Sequence, residues 1–192
     1  MLESIRCCEK CGLCKNQRPI LDDAATCSVF WIGLSAKAIS FPSEPPLSDA
    51  TNSGMMVSMA ESQLNGLKGY RTNLVKCLPL DKQGKLRYPS TSEIDHCFCN
   101  LISELESFSP IIAFMLGSKV TRSIEKHLSI ECKKWDGFDY HCTYHEGTYY
   151  VPIHHPSYVY VYKRKHLKEY ITGIQKAAEH ALSLNNADWT KA

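Results

Sequence analysis

Short apolar runs alternate with segments of helical periodicity along most of this 192-residue chain. Three of the runs are typical of buried strands, and two further stretches alternate like strands. The runs cover residues 27–33, 70–75 and 110–116, and the alternating stretches cover residues 139–145 and 148–153, around Glu146-Gly147. Strands that alternate with helices form a parallel sheet that is covered on both faces. We therefore predict a single three-layer α/β domain over residues 1–192.

Four helices are expected between and after these strands. They cover residues 55–67, 92–108, 117–127 and 164–184, and Thr91 or Ser92 is the expected N-cap of the second. The segment 34–54 has no such periodicity and is rich in Pro, Ser and Asp. Long irregular loops in compact domains are usually functional or disordered, so this loop is a candidate part of a site.

Polar residues follow the ends of three predicted strands. Right-handed crossovers place the loops after Gly33, Val75 and Ile153 on one edge of a parallel sheet, where open α/β proteins bind their ligands. The polar residues expected at this edge are Ser35, Lys37, Glu44, Asp49, Asn52, Asn73, His155 and Ser157. The sequence contains no Walker A loop, no GxGxxG fingerprint and no GxSxG elbow, which argues against the enzymes that those motifs define.

The sequence predicts a cytoplasmic protein without a membrane span. No apolar run approaches the length of a transmembrane helix, and the N-terminus lacks the apolar core of a secretory signal. Disulfides are rare in a reducing compartment, so the ten cysteines need another explanation.

Four cysteines crowd into residues 7–14 and predict a metal site. Cys8, Cys11 and Cys14 have C-x2-C spacing, which lets two thiolates reach one metal from a single turn. Cys77, together with Cys97 or Cys99, is expected to complete the site. Four thiolates suit either a structural zinc or an iron–sulfur cluster, and spacing does not choose between them. The alternative, buried free cysteines, fits Cys27, Cys132 and Cys142.

A basic block follows the last strand. Lys163, Arg164 and Lys165 are its centre, and we predict that they contact phosphates. The alternative is a solvated helix start. The net charge of +2 is too small to indicate a polyanionic partner by itself.

Taken in order, several of these segments resemble the uracil-DNA glycosylase superfamily, and most closely its iron–sulfur branch, family 4. The resemblance covers nearly the whole chain. The matching segments are Cys8-x-x-Cys11-Gly-Leu, V-F-W-I-G at 29–33, T-N-L-V-K-C at 72–77, Cys97, the strand at 110–117 and His155-Pro-Ser157. The resemblance implies a four-stranded, mainly parallel sheet between helices. It also implies a 4Fe-4S cluster held by Cys8, Cys11, Cys77 and Cys97, with Cys14 and Cys99 as alternatives to Cys8 and Cys97.

The resemblance implies a DNA glycosylase, an enzyme that flips a base out of DNA and hydrolyses its N-glycosidic bond. Asn73 would bind the edge of the base, and His155 would donate a hydrogen bond to its O2 as negative charge builds there. Ser157 would hold phosphates, Tyr158 would wedge near the gap, and Lys37 would contact DNA. The structural alternatives are a strand-end asparagine that satisfies a turn and a histidine that orders a His-Pro turn.

The loop 34–54 departs from the family. The acidic residue of the first family motif is Leu34 here, so another group must orient the attacking water; the candidates are Glu44, Asp49 and Asn52, and Asp49 is preferred. No aromatic residue lies at Ser48–Thr51, where the family stacks one on uracil. We expect Ser35 and Asn52 to contact the substrate, and we expect a wider or more polar pocket.

Two substrates follow from this departure. The base is either uracil or a modified cytosine such as glucosylated hydroxymethylcytosine, whose removal would serve defence against phage. The partner is DNA, single- or double-stranded, and the protein is expected to be a monomer. The alternative from another class is a non-catalytic iron–sulfur module that binds nucleic acid, for which the loss of the acid at Leu34 is the main support.

Overall fold

Four parallel strands and one antiparallel edge strand form the sheet at the centre of the protein. The computed structural model describes residues 2–189, and it describes side chains as far as residue 186. The strands are β1 (Val29–Ser35), β2 (Gly69–Val75), β3 (Ile112–Leu116), β4 (Thr143–His145) and β5 (Thr148–Ile153). The helices are α1 (Leu2–Arg6), α2 (Asn52–Glu61), α3 (Thr91–Phe108), α4 (Ser118–Leu128), α5 (Pro156–Tyr162) and α6 (Leu167–Trp189), with 3-10 turns at Gly12–Lys15 and Arg164–His166.

The strand order is β2-β1-β3-β5-β4, which confirms a mainly parallel sheet. β2, β1, β3 and β5 pair in parallel, and β4 pairs antiparallel with β5. The implied count of four strands is therefore one too low. Glu146 and Gly147 join β4 to β5 with positive φ angles, the geometry of a tight two-residue hairpin turn. The sheet gains its fifth strand through this hairpin.

Hydrophobic clusters on both faces of the sheet confirm the three-layer arrangement. Alternate residues of β1 enter different clusters, with Trp31 on one face and Phe30 on the other. The Trp31 cluster contains residues of α2 and α6, whereas the Phe30 cluster contains residues of α3 and α4. Each face of β1 is covered, which agrees with the continuous rather than alternating apolar pattern of residues 29–34.

Two helix starts differ from the predicted ones because of their caps. α2 begins three residues before the expected position, since the Thr51 side chain accepts a hydrogen bond from the backbone N–H of Gly54. α3 is capped by Ser90 rather than by Thr91 or Ser92. Ser90 and Glu93 form a reciprocal capping box.

The segment after β5 is helical, although the sequence predicts only a tight turn there. His155 is the N-cap of α5 and Pro156 is its first residue. Proline suits the first helical position because its fixed φ is compatible with the helix and its missing N–H has no partner there. The predicted terminal helix begins later than expected, at Leu167, after the Arg164–His166 turn.

The carboxyl ends of the four parallel strands open on one edge of the sheet, as the crossover rule predicts. The segments that meet there are the loop 36–51, the loop 76–90, Gly117 and the start of α5. Within residues 2–189, no helix combines the length and the apolar composition that a bilayer crossing needs.

Candidate active site

A cavity of about 700 Å³ lies at the carboxyl ends of the parallel strands. One side of the cavity is formed by four residues at or near the strand ends, which we call the strand-end wall: Gly33, Asn73, Gly117 and His155. The other side is formed by residues of the loop 36–51, which we call the loop wall. The predicted residues Ser35, Lys37, Ser157 and Tyr158 also line the cavity.

Asn73 presents an unpaired carboxamide to the cavity. The residue is only 4% exposed, and its side chain has no hydrogen-bond partner within the described part of the chain. Its Oδ1 lies so close to Gly33, its partner on β1, that a Cβ at Gly33 would collide with it. Asn73 therefore does not satisfy a turn, and its amide can donate to and accept from a ligand.

His155 is held as a neutral donor. The backbone N–H of Ser157 donates to its Nδ1 at 3.3 Å, so Nδ1 is an acceptor and the ring proton lies on Nε2. Burial, and then the nearby Lys37 ammonium, lower the pKa of His155 below its usual value. Nε2 has no partner in the described residues. The structural interpretation of His155 thus explains one ring nitrogen and leaves the other available to a substrate.

Two serines link the helices that flank the cavity. Ser53 near the start of α2 and Ser157 near the start of α5 share a hydrogen bond of 2.6 Å between their hydroxyl oxygens. Gly117 adopts φ +92, and a Cβ there would lie 3.1 Å from the Cβ of His155. A side chain at Gly117 would therefore disturb both the backbone and His155.

A buried ion pair that the sequence pattern did not predict holds the backbone of Asn73 in place. Lys76 and Glu104 are both fully buried and form a salt bridge. The Lys76 ammonium also donates to the backbone carbonyl of Asn73 and to the Thr72 hydroxyl, each at 2.6 Å. Tyr70 donates to Glu104 at 2.9 Å. A lysine and a glutamate inside otherwise apolar segments were the available signal.

The structure places Asp49, the preferred candidate for orienting water, outside the cavity lining. Asp49 does not line the cavity, because its carboxylate accepts from Arg71 at 2.7 Å and from Ser58 at 2.6 Å. Asn52 is exposed and also lies outside the lining. Arg71 donates in addition to the carbonyl of Leu47 at 3.0 Å. Asp49 therefore anchors the loop wall rather than facing a substrate.

Glu44 is the one carboxylate among the described residues that line the cavity. Its side chain belongs to a residue that is 7% exposed, and its Oε2 accepts from the backbone N–H of Ser40 at 2.6 Å. Its Oε1 has no hydrogen-bond partner within residues 2–189. An acceptor of this kind, fixed at one oxygen and free at the other, suits a water molecule or a donor group of a ligand.

The predicted phosphate contacts lie beyond the cavity. Lys163, Arg164 and Lys165 are exposed on the turn after α5, and none of them lines the cavity. Arg164 lies over the ring of Tyr160, 5.1 Å from its centroid. Their exposure is compatible with the predicted role, which stays a prediction.

The predicted cluster ligands converge on one site. Cys77 and Cys97 are buried in one small cluster, against which Cys11 and Cys14 also pack. Asn100 connects Cys8 to it, because its amide donates to the sulfurs of Cys8 at 3.5 Å and Cys97 at 3.6 Å. Burial, and next the sulfur of Cys97, raise the pKa of Cys77 to about 12.

The thiols that converge here are donors that suit either a structural zinc or an iron–sulfur cluster. Within the described residues, no group of three or more His, Cys, Asp or Glu side chains is arranged to hold one metal ion. Cys99 is exposed and accepts from Lys10 at 2.9 Å, which favours Cys97 over Cys99 as a ligand. The choice between Cys8 and Cys14 stays open.

Comparisons with known proteins agree with this architecture. The model of the uracil DNA glycosylase superfamily matches residues 36–178. No curated protein matches the chain. Among solved structures, the chain is similar to wild-type SMUG2 of Pedobacter heparinus, with 13% sequence identity and a TM-score of 0.55. That match covers 84% of this chain and 77% of the other, and at this identity it shows a common fold.

Proposed function

This chain belongs to the uracil DNA glycosylase superfamily, and we propose that it is a DNA glycosylase that hydrolyses the N-glycosidic bond of a flipped-out base. One observation carries the proposal. Asn73 and His155 line one cavity, and neither the carboxamide of Asn73 nor Nε2 of His155 has a hydrogen-bond partner in the described residues; Asn73 is 4% exposed and His155 is half-buried. Polar groups that face a cavity without a protein partner are available to bind a ligand.

The reaction assigns a separate task to each group. Asn73 binds the edge of the base and holds it in the cavity. As the bond between C1′ of the sugar and the base nitrogen breaks, electrons move onto the base, and His155 donates from Nε2 to its O2. A neutral imidazole suits this task, because it stabilises the anion without first giving up its proton.

We propose that Glu44, rather than Asp49, orients the water. Its free Oε1 accepts a hydrogen bond from a water whose oxygen forms the new bond to C1′. One water proton passes to Glu44 or solvent, and the departing base gains one proton from solvent, so that the products are the free base and an abasic site. Glu44 thereby replaces the acid that the family carries where this chain has Leu34.

The size and the lining of the cavity favour a base larger than uracil. Its volume of about 700 Å³ is within the range of sites that bind drug-sized ligands and is much larger than a pyrimidine ring. Its lining includes no buried Phe, Tyr or Trp among the described residues, since Tyr88, Tyr158 and Tyr162 are exposed at the mouth. Both features support a modified cytosine such as glucosylated hydroxymethylcytosine, and hence a role in phage defence, with uracil as the alternative.

A base-release assay tests the activity. Unmodified, uracil-containing and glucosylated hydroxymethylcytosine-containing DNAs are incubated with the protein, and abasic sites are read by alkaline cleavage. The His155→Ala variant should react about 10²- to 10³-fold more slowly, because it lacks the donor to O2. His154→Ala is the matched control, since His154 interacts with Tyr140 outside the cavity lining.

Each outcome decides between the candidate functions. Release from the glucosylated DNA alone supports the defence enzyme, and release of uracil alone supports a repair enzyme. Binding without release from any of the three DNAs contradicts these substrates and favours the non-catalytic module.

We further propose that Cys8, Cys11, Cys77 and Cys97 hold a 4Fe-4S cluster. Bound there, it would act as a structural cross-link between the N-terminal segment, the end of β2 and α3. The backbone N–H of Ile20 already donates to the carbonyl of Lys76 at 3.0 Å and holds the N-terminal segment beside β2. The cluster is not needed for the proton and water steps described above.

Iron content tests this assignment. The anaerobically purified protein should be brown and contain iron and sulfide, and Cys77→Ser should lose most of both. Cys99→Ser should retain them, because Cys99 is exposed and pairs with Lys10. A colourless protein that contains zinc would contradict the cluster and support the zinc site.

A further inference from the structure

Exposed apolar side chains concentrate around the mouth of the cavity. Among the residues whose side chains the structure describes, nine large apolar ones are exposed, and five of these line the cavity. The five, which we call the mouth residues, are Leu86, Tyr88, Tyr158, Val161 and Tyr162. Single exposed apolar residues need no explanation, whereas a group around one opening marks an interaction surface.

The mouth residues lie on two opposite sides of the cavity opening. Leu86 and Tyr88 lie on the loop between β2 and α3, whereas Tyr158, Val161 and Tyr162 lie on α5, which follows β5. In the sheet, β1 and β3 lie between β2 and β5, so the two sides face each other across the opening.

The rings on each side are already arranged by their neighbours. The Lys119 ammonium lies 3.4 Å from the centroid of the Tyr88 ring. The rings of Tyr158 and Tyr162 lie 5.4 Å apart, and Tyr158 is nearly parallel to His154. Tyr88 and Tyr162 keep 69% and 72% of their surface exposed, so each retains a free face.

Two lysines give the opening a positive charge. Lys37 and Lys119 line the cavity, where the only carboxylate of the described lining, Glu44, is buried. Arg87 also lines it, but its guanidinium is paired with Glu93. Cations that track a backbone, combined with aromatic rings that stack on bases, are the features of proteins that bind single-stranded nucleic acid.

We propose that the mouth residues bind single-stranded DNA, with the base on each side of the excised one stacked on Tyr88 or Tyr162. This inference rests on the proposed function in taking the cavity as the site of the flipped base. In a duplex the neighbouring bases are paired and stacked on each other. A single wedge can enter such a stack, but two platforms on opposite sides require both neighbours to leave it.

A binding experiment separates this inference from catalysis. Fluorescence anisotropy is measured with a labelled oligothymidine, which carries no target base, and with the same strand in a duplex. The single strand should bind at least about tenfold more tightly. Tyr88→Ala and Tyr162→Ala should each weaken its binding roughly 5- to 150-fold, the loss expected for one stacked base. Tyr88→Phe should retain wild-type affinity, because phenylalanine keeps the ring.

Tyr144→Ala is the matched control, since Tyr144 is 59% exposed on β4 and does not line the cavity. It should not change the affinity. Equal or tighter binding of the duplex, tighter binding of the matching RNA, or an equal loss in Tyr144→Ala would each overturn the inference. Single-strand binding without base release from any DNA would leave it standing and contradict the proposed function instead.

Discussion

The strand-end wall and the loop wall of the cavity are held in place by different interactions. Asn73 and His155 belong to segments fixed by strand pairing, helix capping and a buried ion pair. The loop wall lacks strand or helix structure of its own, and a few side chains anchor it. Arg71 bonds to Leu47 and Asp49, and Gln17 bonds to the backbone of Lys37 and Ile39 at 3.0 and 3.1 Å.

This difference separates the residues that the family motifs identify from the residues that depart from the family. Groups that stabilise a developing charge must be placed accurately, and they lie on the part of the cavity with the strongest backbone constraints. The residues that depart from the family lie on a loop, whose sequence can change without disturbing the sheet. Since the departures from the family fall in the loop 34–54, we expect this protein to share its reaction with the family and to differ in its substrate.

The largest expected effect comes from breaking the support of the strand-end wall. Lys76→Met leaves Glu104 buried without its cation, which should lower the free energy of unfolding by about 3–5 kcal/mol. Urea denaturation with Lys82→Met, a change on an exposed turn, as the control measures this loss. Replacing both partners, in Lys76→Met with Glu104→Met, should recover much of it.

A small effect would contradict this account of the strand-end wall. If Lys76→Met lowers the free energy of unfolding by less than about 1 kcal/mol, which is the value of a surface ion pair, the Lys76–Glu104 pair does not stabilise the strand-end wall.

The same difference explains what the sequence could predict. Asn73 and His155 were identifiable because Asn73 lies near the end of an apolar strand and His155 follows one, and the carboxyl ends of parallel strands converge whatever the loops do. The parallel order and the covered faces followed from the alternation of strands and helices. β4, with three residues, was part of a longer alternating stretch, and its pairing depended on the hairpin turn.

The loop wall was not predictable in the same way. Asp49 was preferred over Glu44 as an acid in the right loop, but sequence gives no direction to a side chain in irregular backbone. Arg71, which captures Asp49, projects from the middle of β2, a contact between segments that are distant in sequence. The Lys76–Glu104 pair was missed for a related reason. Its members are distant in sequence, because Lys76 directly follows β2 and Glu104 lies on α3.

A matched pair of loop variants sharpens the comparison with a smaller effect. Glu44→Gln keeps the shape of the side chain but weakens the acceptor for water, so kcat/KM should fall about tenfold or more. Asp49→Asn should change kcat/KM less than about threefold, because Asp49 is 64% exposed and anchors the loop. Single-turnover base release measures both. The reverse order of effects would restore Asp49 as the residue that orients water.

The smallest effect tests whether the two walls interact. Lys37 of the loop wall lowers the pKa of His155, although burial is the larger cause. Protonation of His155 would add a proton at Nδ1 and break the hydrogen bond from the N–H of Ser157. We therefore expect kcat/KM to be constant near neutral pH and to fall only below about pH 6.5, the usual pKa of histidine.

Because Lys37→Met removes the nearby cation, the pKa of His155 should rise, and the acid limb of kcat/KM should move to higher pH. The expected shift is less than about one pH unit, since burial remains. The position of the limb is diagnostic, because loss of a DNA contact would change only the height of the profile. An unmoved limb would show that the strand-end wall sets the protonation state of His155 without the loop.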